Sequence, residues 1–186
     1  MSVTFVLGGA RSGKSAYAQA LAEAAASRAG RPPVMIATAE ALDAEMAARI
    51  ARHREERGEA WRTVEAPLEL AAAVLALEPG EAAVADCLTL WLSNLMLAGR
   101  DVDAATDELL AALAVTRSEV VLVSNEVGMS LVPENALGRA FRDAAGRLNQ
   151  RVAGRAEHAV VMFCGLGVAL KGAPALVPSV HVSASI

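Results

Sequence analysis

Long apolar runs, closely spaced cysteines and blocks of like charge are all missing from this 186-residue sequence. No apolar run approaches the roughly 20 residues that a membrane-spanning helix needs, and the N-terminus lacks the basic start of a signal peptide. The formal net charge is −4 and no basic stripe is present, which disfavours DNA or RNA as a partner. These absences predict a soluble cytoplasmic protein that has no membrane span and binds no nucleic acid.

Cysteine itself is scarce. Cys87 and Cys164 are the two cysteines, they lie far apart, and each adjoins an apolar run. This arrangement favours buried free thiols in a reducing compartment over a disulfide or a metal site.

Alanine and valine are what the sequence has in excess. Apolar residues make up 54% of the chain, and alanine-rich segments alternate with short valine-rich runs. Because alanine favours helices and β-branched residues favour strands, the alternation predicts an α/β fold: a mostly parallel sheet with helices on both faces. Strands are expected at residues 3–7, 34–37, 61–65, 82–86, 119–123 and 158–163, and helices at 14–29, 41–57, 67–77, 88–97, 103–115 and 134–154.

A phosphate-binding loop follows the first predicted strand. The loop fits the pattern G-x-x-x-x-G-K-[ST] and consists of Gly8, Gly9, Ala10, Arg11, Ser12, Gly13, Lys14 and Ser15. Its glycines let backbone N–H groups turn towards a phosphate, and the helix that starts near Lys14 directs its positive end at the same anion. Because a strand precedes the pattern and a helix follows it, the sequence predicts a P-loop that binds ATP or GTP.

No linker or internal repeat divides the chain. Residues 1–186 are therefore expected to form a single P-loop nucleotide-binding domain. The tail, residues 173–186, holds two prolines and a β-like stretch at 176–182, and it stays unassigned.

A magnesium site is expected beside the loop. The Ser15 hydroxyl is the ligand that a P-loop supplies, and a second acidic group is needed to hold Mg²⁺ through water. Asp86 ends an apolar strand, where its carboxylate would reach the carboxyl edge of a parallel sheet. The alternative role for Asp86 is to cap the helix that begins near Leu88.

One face of the second predicted helix combines two arginines with a histidine. Arg49, His53 and Arg57 are spaced i, i+4, i+8 and therefore share that face. They can form an ordinary solvated face, or His53 can be a nucleophile that attacks a phosphorus atom while the arginines stabilise the developing charge. Spacing alone leaves both interpretations open.

Four sequence blocks make the chain recognisable. They are GGARSGKS (residues 8–15), EMAARIARHREER (45–57) with Trp61 after it, SNEVGMSLVPE (124–134) and FRDAAGRLNQR (141–151). In this order they resemble the bifunctional adenosylcobinamide kinase / adenosylcobinamide-phosphate guanylyltransferase family of cobalamin biosynthesis. The P-loop is shared with many proteins, whereas the SNEVG…VPE block and the Arg-Ile-x-x-His pattern are much more specific.

The resemblance implies roles for particular residues. His53 matches the histidine that accepts GMP from GTP, and with Lys14 it forms the implied catalytic pair. Outside the P-loop, nucleotide contacts are implied for Ala37, Thr38, Ala39, His53, Arg54, Glu55, Glu56, Glu65 and Asp86. The resemblance also implies a RecA-like sheet, Mg²⁺, GTP and ATP as substrates, and a homotrimer in which the histidine helix approaches a P-loop.

Polar residues also follow the fifth predicted strand. Ser124, Asn125 and Glu126 stand where α/β proteins bind ligands, although a polar loop with capping roles is the alternative. Gly165 and Gly167 follow the last predicted strand in a similar way. His158 and His181 are expected to be structural or surface residues.

The expected enzyme phosphorylates adenosylcobinamide with ATP or GTP. It then transfers GMP from GTP, through a guanylylated histidine, to adenosylcobinamide-phosphate and gives adenosylcobinamide-GDP. Two other functions stay open: a kinase without the second activity, and a non-catalytic nucleotide-dependent switch. The sequence also leaves open the preferred phosphate donor and the surface that holds the corrin ring, since aromatic residues make up only 3% of the chain.

Overall fold

A computed structural model describes residues 2–40, 44, 47–48, 51–52, 55, 58 and 60–172 of the chain. Within these residues, seven strands form one sheet: β1 (Val3–Gly8), β2 (Val34–Ala37), β3 (Arg62–Glu65), β4 (Ala82–Asp86), β5 (Glu119–Asn125), β6 (His158–Phe163) and β7 (Leu166–Lys171). The helices whose two ends lie within the described residues are α1 (Lys14–Ala29), α2 (Leu70–Leu75), α3 (Leu88–Leu97), α4 (Val102–Val115) and α5 (Ala136–Arg155).

The strands lie in the order β3-β2-β4-β5-β1-β6-β7. All neighbouring pairs are parallel except β6 and β7, which are antiparallel. The P-loop strand β1 therefore lies inside the sheet, and one strand, β5, separates it from β4. Because the first six strands point the same way, their carboxyl ends share one edge, where open parallel sheets bind ligands.

Helices cover both faces of the sheet, as the sequence predicts. On one face, α2 to α5 bury a core that includes Leu92, Leu109 and Leu148. On the other face, α1 packs its alanines over the valine-rich strands. Shortening one of these buried leucines to alanine would cost about 2–5 kcal/mol.

Several element boundaries agree with the sequence prediction because local signals set them. Helix α1 ends where Gly30 takes a left-handed conformation with φ 63° and donates to the Ala26 and Ser27 carbonyls. Such a C-terminal glycine satisfies carbonyls that the helix leaves unpaired. The bounds of α1, α3, β2 and β6 are those predicted.

The helix expected from Pro67 is wrong in its bounds, since α2 begins only at Leu70 and ends at Leu75. Two side chains from α3 take the carbonyls before it: the Trp91 indole donates to Leu68 (2.8 Å) and the Asn94 amide donates to Pro67 (3.1 Å). Hydrogen bonds from another helix thus take the place of the backbone hydrogen bonds that a first helical turn would form.

Three further expectations are corrected around β5 and β6. Strand β5 continues through Ser124 and Asn125, which were expected to be loop. Helix α5 begins at Ala136, two residues later than expected, because the Asn135 side chain caps it by accepting from the Gly138 N–H. The residues after Gly165 form the edge strand β7; its exposed apolar side chains give no period-2 burial signal.

Two more expectations concern cysteine and the second predicted helix. Cys87 is buried as expected, but Cys164 is exposed, because it occupies the tight turn between β6 and β7. Of the helix expected at 41–57, the described residues Ala44, Ala47–Ala48, Ala51–Arg52 and Glu55 are helical. None of the helices in the described ranges is both long enough and apolar enough to cross a membrane.

Candidate functional site

The P-loop connects β1 to α1 at the carboxyl edge of the sheet. Gly8 is the last residue of β1, and Gly13 immediately precedes α1 with φ 91°. A Cβ at Gly8 would lie 2.5 Å from Ser12 Oγ, and one at Gly13 would lie 3.2 Å from the Gly165 Cα. Both glycines are therefore needed to keep the loop tightly wound.

Two side chains of the loop point into it. The Lys14 ammonium is buried and donates to the Gly9 carbonyl (3.0 Å), so the lysine folds back over the loop. The Ser12 hydroxyl is buried and has no hydrogen-bond partner among the described residues. A buried hydroxyl without a partner is costly. An anion held in the loop would give the hydroxyl an acceptor and would lie beside the lysine.

A turn at the far end of the chain supports the loop. The Gly165 N–H donates to the Ser12 carbonyl (3.0 Å), which joins the β6–β7 turn to the P-loop. Cys164 and Gly165 both have positive φ, as a tight two-residue hairpin turn requires. Sequence reasoning noticed Gly165 but missed this contact, because the two residues lie far apart in the chain.

Three residues implied as nucleotide contacts lie in one row across the carboxyl edge. Ala37 pairs in register with Glu65 on one side and with Asp86 on the other. Ala39 follows in the loop after β2, and it is half-buried. The structure thus brings Glu65, Ala37 and Asp86 together, at a distance from the P-loop.

Asp86 and Ser15, the predicted magnesium ligands, lie at the same edge of the sheet. Ser15 is half-buried in the first turn of α1, and Asp86 is half-buried at the end of β4. Two strand spacings separate β4 from β1, or about 10 Å. This suits a Ser15 hydroxyl bound to Mg²⁺ directly and an Asp86 carboxylate bound through water. Helix α3 has Cys87 at its N-cap position, so the capping role considered for Asp86 is not adopted.

No cluster of three acidic, histidine or cysteine side chains occurs among the residues that the structure describes. Mg²⁺ does not need such a cluster, because it keeps water molecules and uses substrate phosphates as ligands. The hydroxyl and carboxylate present here are the hard oxygen donors that this ion prefers.

Thr38 is buried, and its polar groups are used inside the protein. Its hydroxyl accepts from the Cys87 N–H (2.8 Å) and donates to the Cys87 carbonyl (2.9 Å) across the cis Asp86–Cys87 peptide bond. Its carbonyl accepts from the Asn94 amide (2.8 Å). Thr38 therefore joins the ends of β2 and β4. The nucleotide contact that the resemblance implies for it stays a prediction.

A pair of hydrogen-bonded polar side chains, Asn125 and Thr89, lies between Asp86 and the P-loop. The Asn125 amide donates to the Thr89 hydroxyl (2.6 Å) and, more weakly, to the Cys87 sulfur (3.6 Å). Asn125 is also the register partner of Gly8. Burial, and then the negative charge of Asp86, raise the pKa of the Cys87 thiol, so Cys87 acts here as a neutral group. Sequence reasoning missed Thr89, although a hydroxyl three residues after Asp86 was a signal.

The loop after β5 is organised by one carboxylate. The Glu126 side chain accepts from the N–H groups of Gly128 and Met129 (2.9 Å each), and the Glu126 N–H donates to the Gly8 carbonyl (3.0 Å). The structure thus contains the polar loop with capping roles that the sequence offered as the alternative for this segment. Glu126 ties the loop to the P-loop strand.

His53, the nucleophile that the resemblance implies, lies outside the described residues, as do Arg54 and Glu56. Glu55, which belongs to the same implied contact set, is exposed and helical. Trp61, just after this segment, is buried, and its indole donates to the Glu23 carboxylate of α1 (3.1 Å). This bond ties Trp61 to the helix that follows the P-loop.

His158 is half-buried, in agreement with the expected structural role. Its Nδ1 is buried without a partner among the described residues. His181 lies outside the described part of the chain.

Comparison with known proteins gives a consistent match. A family model described as cobinamide kinase / cobinamide phosphate guanyltransferase matches residues 4–170. The bifunctional adenosylcobalamin biosynthesis protein CobP of Pseudomonas aeruginosa is 45% identical over 172 residues, which cover 91% of this chain and 97% of that protein. The corresponding protein CobU of Salmonella typhimurium is 42% identical, covering 89% of this chain and 98% of its own length.

Similarity to solved structures concerns the fold. The flagellar accessory protein FlaH from Methanocaldococcus jannaschii superposes with a TM-score of 0.50 at 14% identity, covering 96% of this chain and 82% of that chain. At this identity the match supports the P-loop, RecA-like α/β fold and nothing more specific.

Proposed function

Because the chain belongs to the cobinamide kinase / cobinamide phosphate guanyltransferase family, we propose that it phosphorylates adenosylcobinamide and then guanylylates the product. The observation that carries this proposal is the combination of an intact P-loop with a match along residues 4–170. The donor of the first step is ATP or GTP, the donor of the second is GTP, and the final product is adenosylcobinamide-GDP.

In the first reaction the P-loop holds the nucleoside triphosphate. The acceptor hydroxyl forms a bond to the γ-phosphorus, the bond to the β-phosphate oxygen breaks, and the hydroxyl proton is released. Lys14 neutralises charge on the β- and γ-phosphates, and the loop N–H groups orient them. Bound Mg²⁺ would add further charge neutralisation between these phosphates. Ser15 and Asp86 are the residues that would hold it.

In the second reaction His53 is the nucleophile. A neutral ring nitrogen forms a bond to the α-phosphorus of GTP, and the bond to the β-phosphate oxygen breaks, which releases pyrophosphate. The phosphate of adenosylcobinamide-phosphate then displaces the histidine and takes the GMP group. The attacking nitrogen must be unprotonated, and positive charge on arginines that neighbour it in the sequence, including Arg52, would favour that form.

The placement of the implied contacts supports two separate reactions. Glu65 lies on β3 and Gly8 on β1, four strand spacings apart, or about 19 Å. Glu65, Ala37 and the segment that contains Glu55 are thus assigned to the nucleotide of the guanylyl transfer. The P-loop is assigned to the nucleotide of the kinase step.

The proposal extends to assembly and location. A homotrimer, implied by resemblance, would let the histidine segment of one copy approach a P-loop. Free thiols at Cys87 and Cys164 are consistent with a reducing cytoplasm.

The chain offers a matched test of the kinase step, since Lys14 and Lys171 are its only lysines. We expect Lys14→Ala to lower the rate of adenosylcobinamide phosphorylation at least about 100-fold, because the ammonium group that neutralises the transferred phosphate is lost. Lys171 donates instead to the Ala153 and Gly154 carbonyls at the end of α5. Lys171→Ala should keep the wild-type rate. Equal rates for the two variants would contradict the P-loop assignment.

A further inference from the structure

Four apolar side chains near the start of α5 are strongly exposed. Met129, Leu131, Val132 and Leu137 are 81%, 94%, 64% and 62% exposed, respectively. Single exposed apolar residues are ordinary, but four within nine residues form a patch. We call these four residues the apolar tip.

The apolar tip stands beyond the carboxyl edge of the sheet. Asn149 of α5 lies level with the end of β5, because its side chain accepts from the Ser124 hydroxyl (2.7 Å) and donates to the Asn125 carbonyl (3.4 Å). From there α5 runs towards the amino edge, where Glu157 meets Val3. The 14 residues from Ala136 to Asn149 therefore extend the other way, about 20 Å at a rise of 1.5 Å per residue.

Hydrogen bonds hold the tip in place. Glu126 fixes the start of the loop through the N–H groups of Gly128 and Met129. The Arg139 guanidinium donates to the Pro133 and Glu134 carbonyls (3.0 and 2.6 Å), and a Cβ at Gly138 would lie 2.8 Å from the Pro133 Cβ. The loop thus presents its apolar side chains from a fixed backbone, so little ordering entropy opposes binding.

We propose that the apolar tip binds the corrin macrocycle of the acceptor while the hydroxyl that is phosphorylated reaches the P-loop nucleotide. This inference rests on the proposed function, because the acceptor is a corrinoid only if that function is correct. The base of the loop is bonded to Gly8, so the apolar tip stands beyond the same edge of the sheet as the phosphate site, and one extended substrate could contact both. Flexible methionine and leucine side chains fit the uneven face of a substituted macrocycle better than a flat aromatic surface would.

The size of the tip favours a small ligand over a second copy of the chain. A stable protein interface buries more than about 1,000 Å² in total, whereas an exposed patch of a few hundred Å² is typical of a binding site on a monomer. Four aliphatic side chains form a patch of the smaller size, which is typical of a binding site on a monomer.

The test compares two double variants of equal chemistry. Met129→Ser with Leu131→Ser alters the tip. Val168→Ser with Leu170→Ser alters side chains on β7 that are also exposed (52% and 65%). For each protein, equilibrium binding of adenosylcobinamide and of GTP is measured, along with KM for both substrates and the sedimentation coefficient.

We expect the tip variant to bind adenosylcobinamide at least about tenfold more weakly, because two apolar contacts are lost. Its GTP affinity, kcat at saturation and sedimentation should be unchanged, and the β7 variant should match wild type in corrinoid binding. Unchanged corrinoid affinity in the tip variant would overturn the inference, as would a smaller sedimentation coefficient, which would assign the tip to contact between copies. If wild type itself neither binds nor phosphorylates the corrinoid, the proposed function fails as well, which separates the two failures.

Discussion

Gly13 is the residue of the P-loop whose replacement is easiest to predict. Its φ of 91° is unfavourable for any residue with a side chain, and an added Cβ would lie 3.2 Å from the Gly165 Cα. Because the backbone of Gly165 cannot give way as a flexible side chain can, Gly13→Ala should shift the loop itself. We expect a loss of stability of about 1–2 kcal/mol and a clear loss of GTP affinity, measured by unfolding and by titration.

Gly99 provides the control for this change. It also has positive φ (65°), but a Cβ there meets nothing within 4 Å. Gly99→Ala should therefore cost a similar amount of stability while GTP affinity stays at the wild-type value. Loss of GTP affinity in both variants would mean that reduced stability, rather than loop geometry, weakens binding.

Glu157 links stability to pH. Burial raises the pKa of its carboxyl group, but hydrogen bonds from the Val3 N–H and its own N–H, together with the positive charge of Arg155, lower the pKa below the ordinary 4.5. A lowered pKa in the folded protein means that the stabilisation is present above pH 4.5 and disappears as pH falls through the folded value. Wild type should therefore be more stable than Glu157→Gln at neutral pH, and the difference should shrink below pH 4.5.

Urea unfolding of both proteins between pH 3 and 7 measures this difference. Glu108→Gln changes an exposed glutamate on α4 and serves as the control. A difference between wild type and Glu157→Gln that stays constant across this pH range would contradict the role given to the Val3 hydrogen bond.

At the scale of elements, Thr38 joins β2 to the start of α3. Thr38→Val keeps the shape of the side chain but leaves the Cys87 N–H without its partner, while the Cys87 carbonyl keeps only the Trp91 N–H as a donor. We expect unfolding to become easier by about 1–3 kcal/mol, the cost of unpaired buried polar groups. Thr63→Val, at an exposed position of β3, should change stability by less than about 0.5 kcal/mol.

The role of Thr38 can be separated from nucleotide contact in the same variants. If Thr38 only positions β2 and β4, GTP affinity in Thr38→Val should remain close to wild type under conditions where the protein is folded. A large loss of GTP affinity without a loss of stability would indicate that Thr38 contacts the nucleotide directly, as the resemblance implies.

Element boundaries were predictable where the signal is local. The end of α1 follows from Gly30, whose left-handed conformation closes the helix through local hydrogen bonds. The start of α2 was not predictable, because Trp91 and Asn94 reach it from another helix. Strand β7 was missed for the related reason that an edge strand with exposed Leu166 and Leu170 lacks a buried face.

For the whole molecule, the alternation of alanine-rich and valine-rich segments predicted the parallel sheet and its two helical layers. The P-loop was equally predictable, since its eight residues are contiguous and their chemistry does not depend on the rest of the chain. The contacts that support the site were not predictable, because they depend on long-range packing that no local pattern encodes. These contacts are made by Gly165, Thr89 and Asn149.

The central claim is that one chain carries out two reactions, the second through His53. The most direct measurement is the intact mass of the protein after incubation with GTP and Mg²⁺, for wild type and for variants of its three histidines. We expect wild type, His158→Ala and His181→Ala to gain one acid-labile GMP group each, and His53→Ala to gain none. Labelling of His53→Ala at the wild-type level, or no labelling of a wild-type protein that demonstrably binds GTP, would contradict the claim and leave a kinase with a single activity.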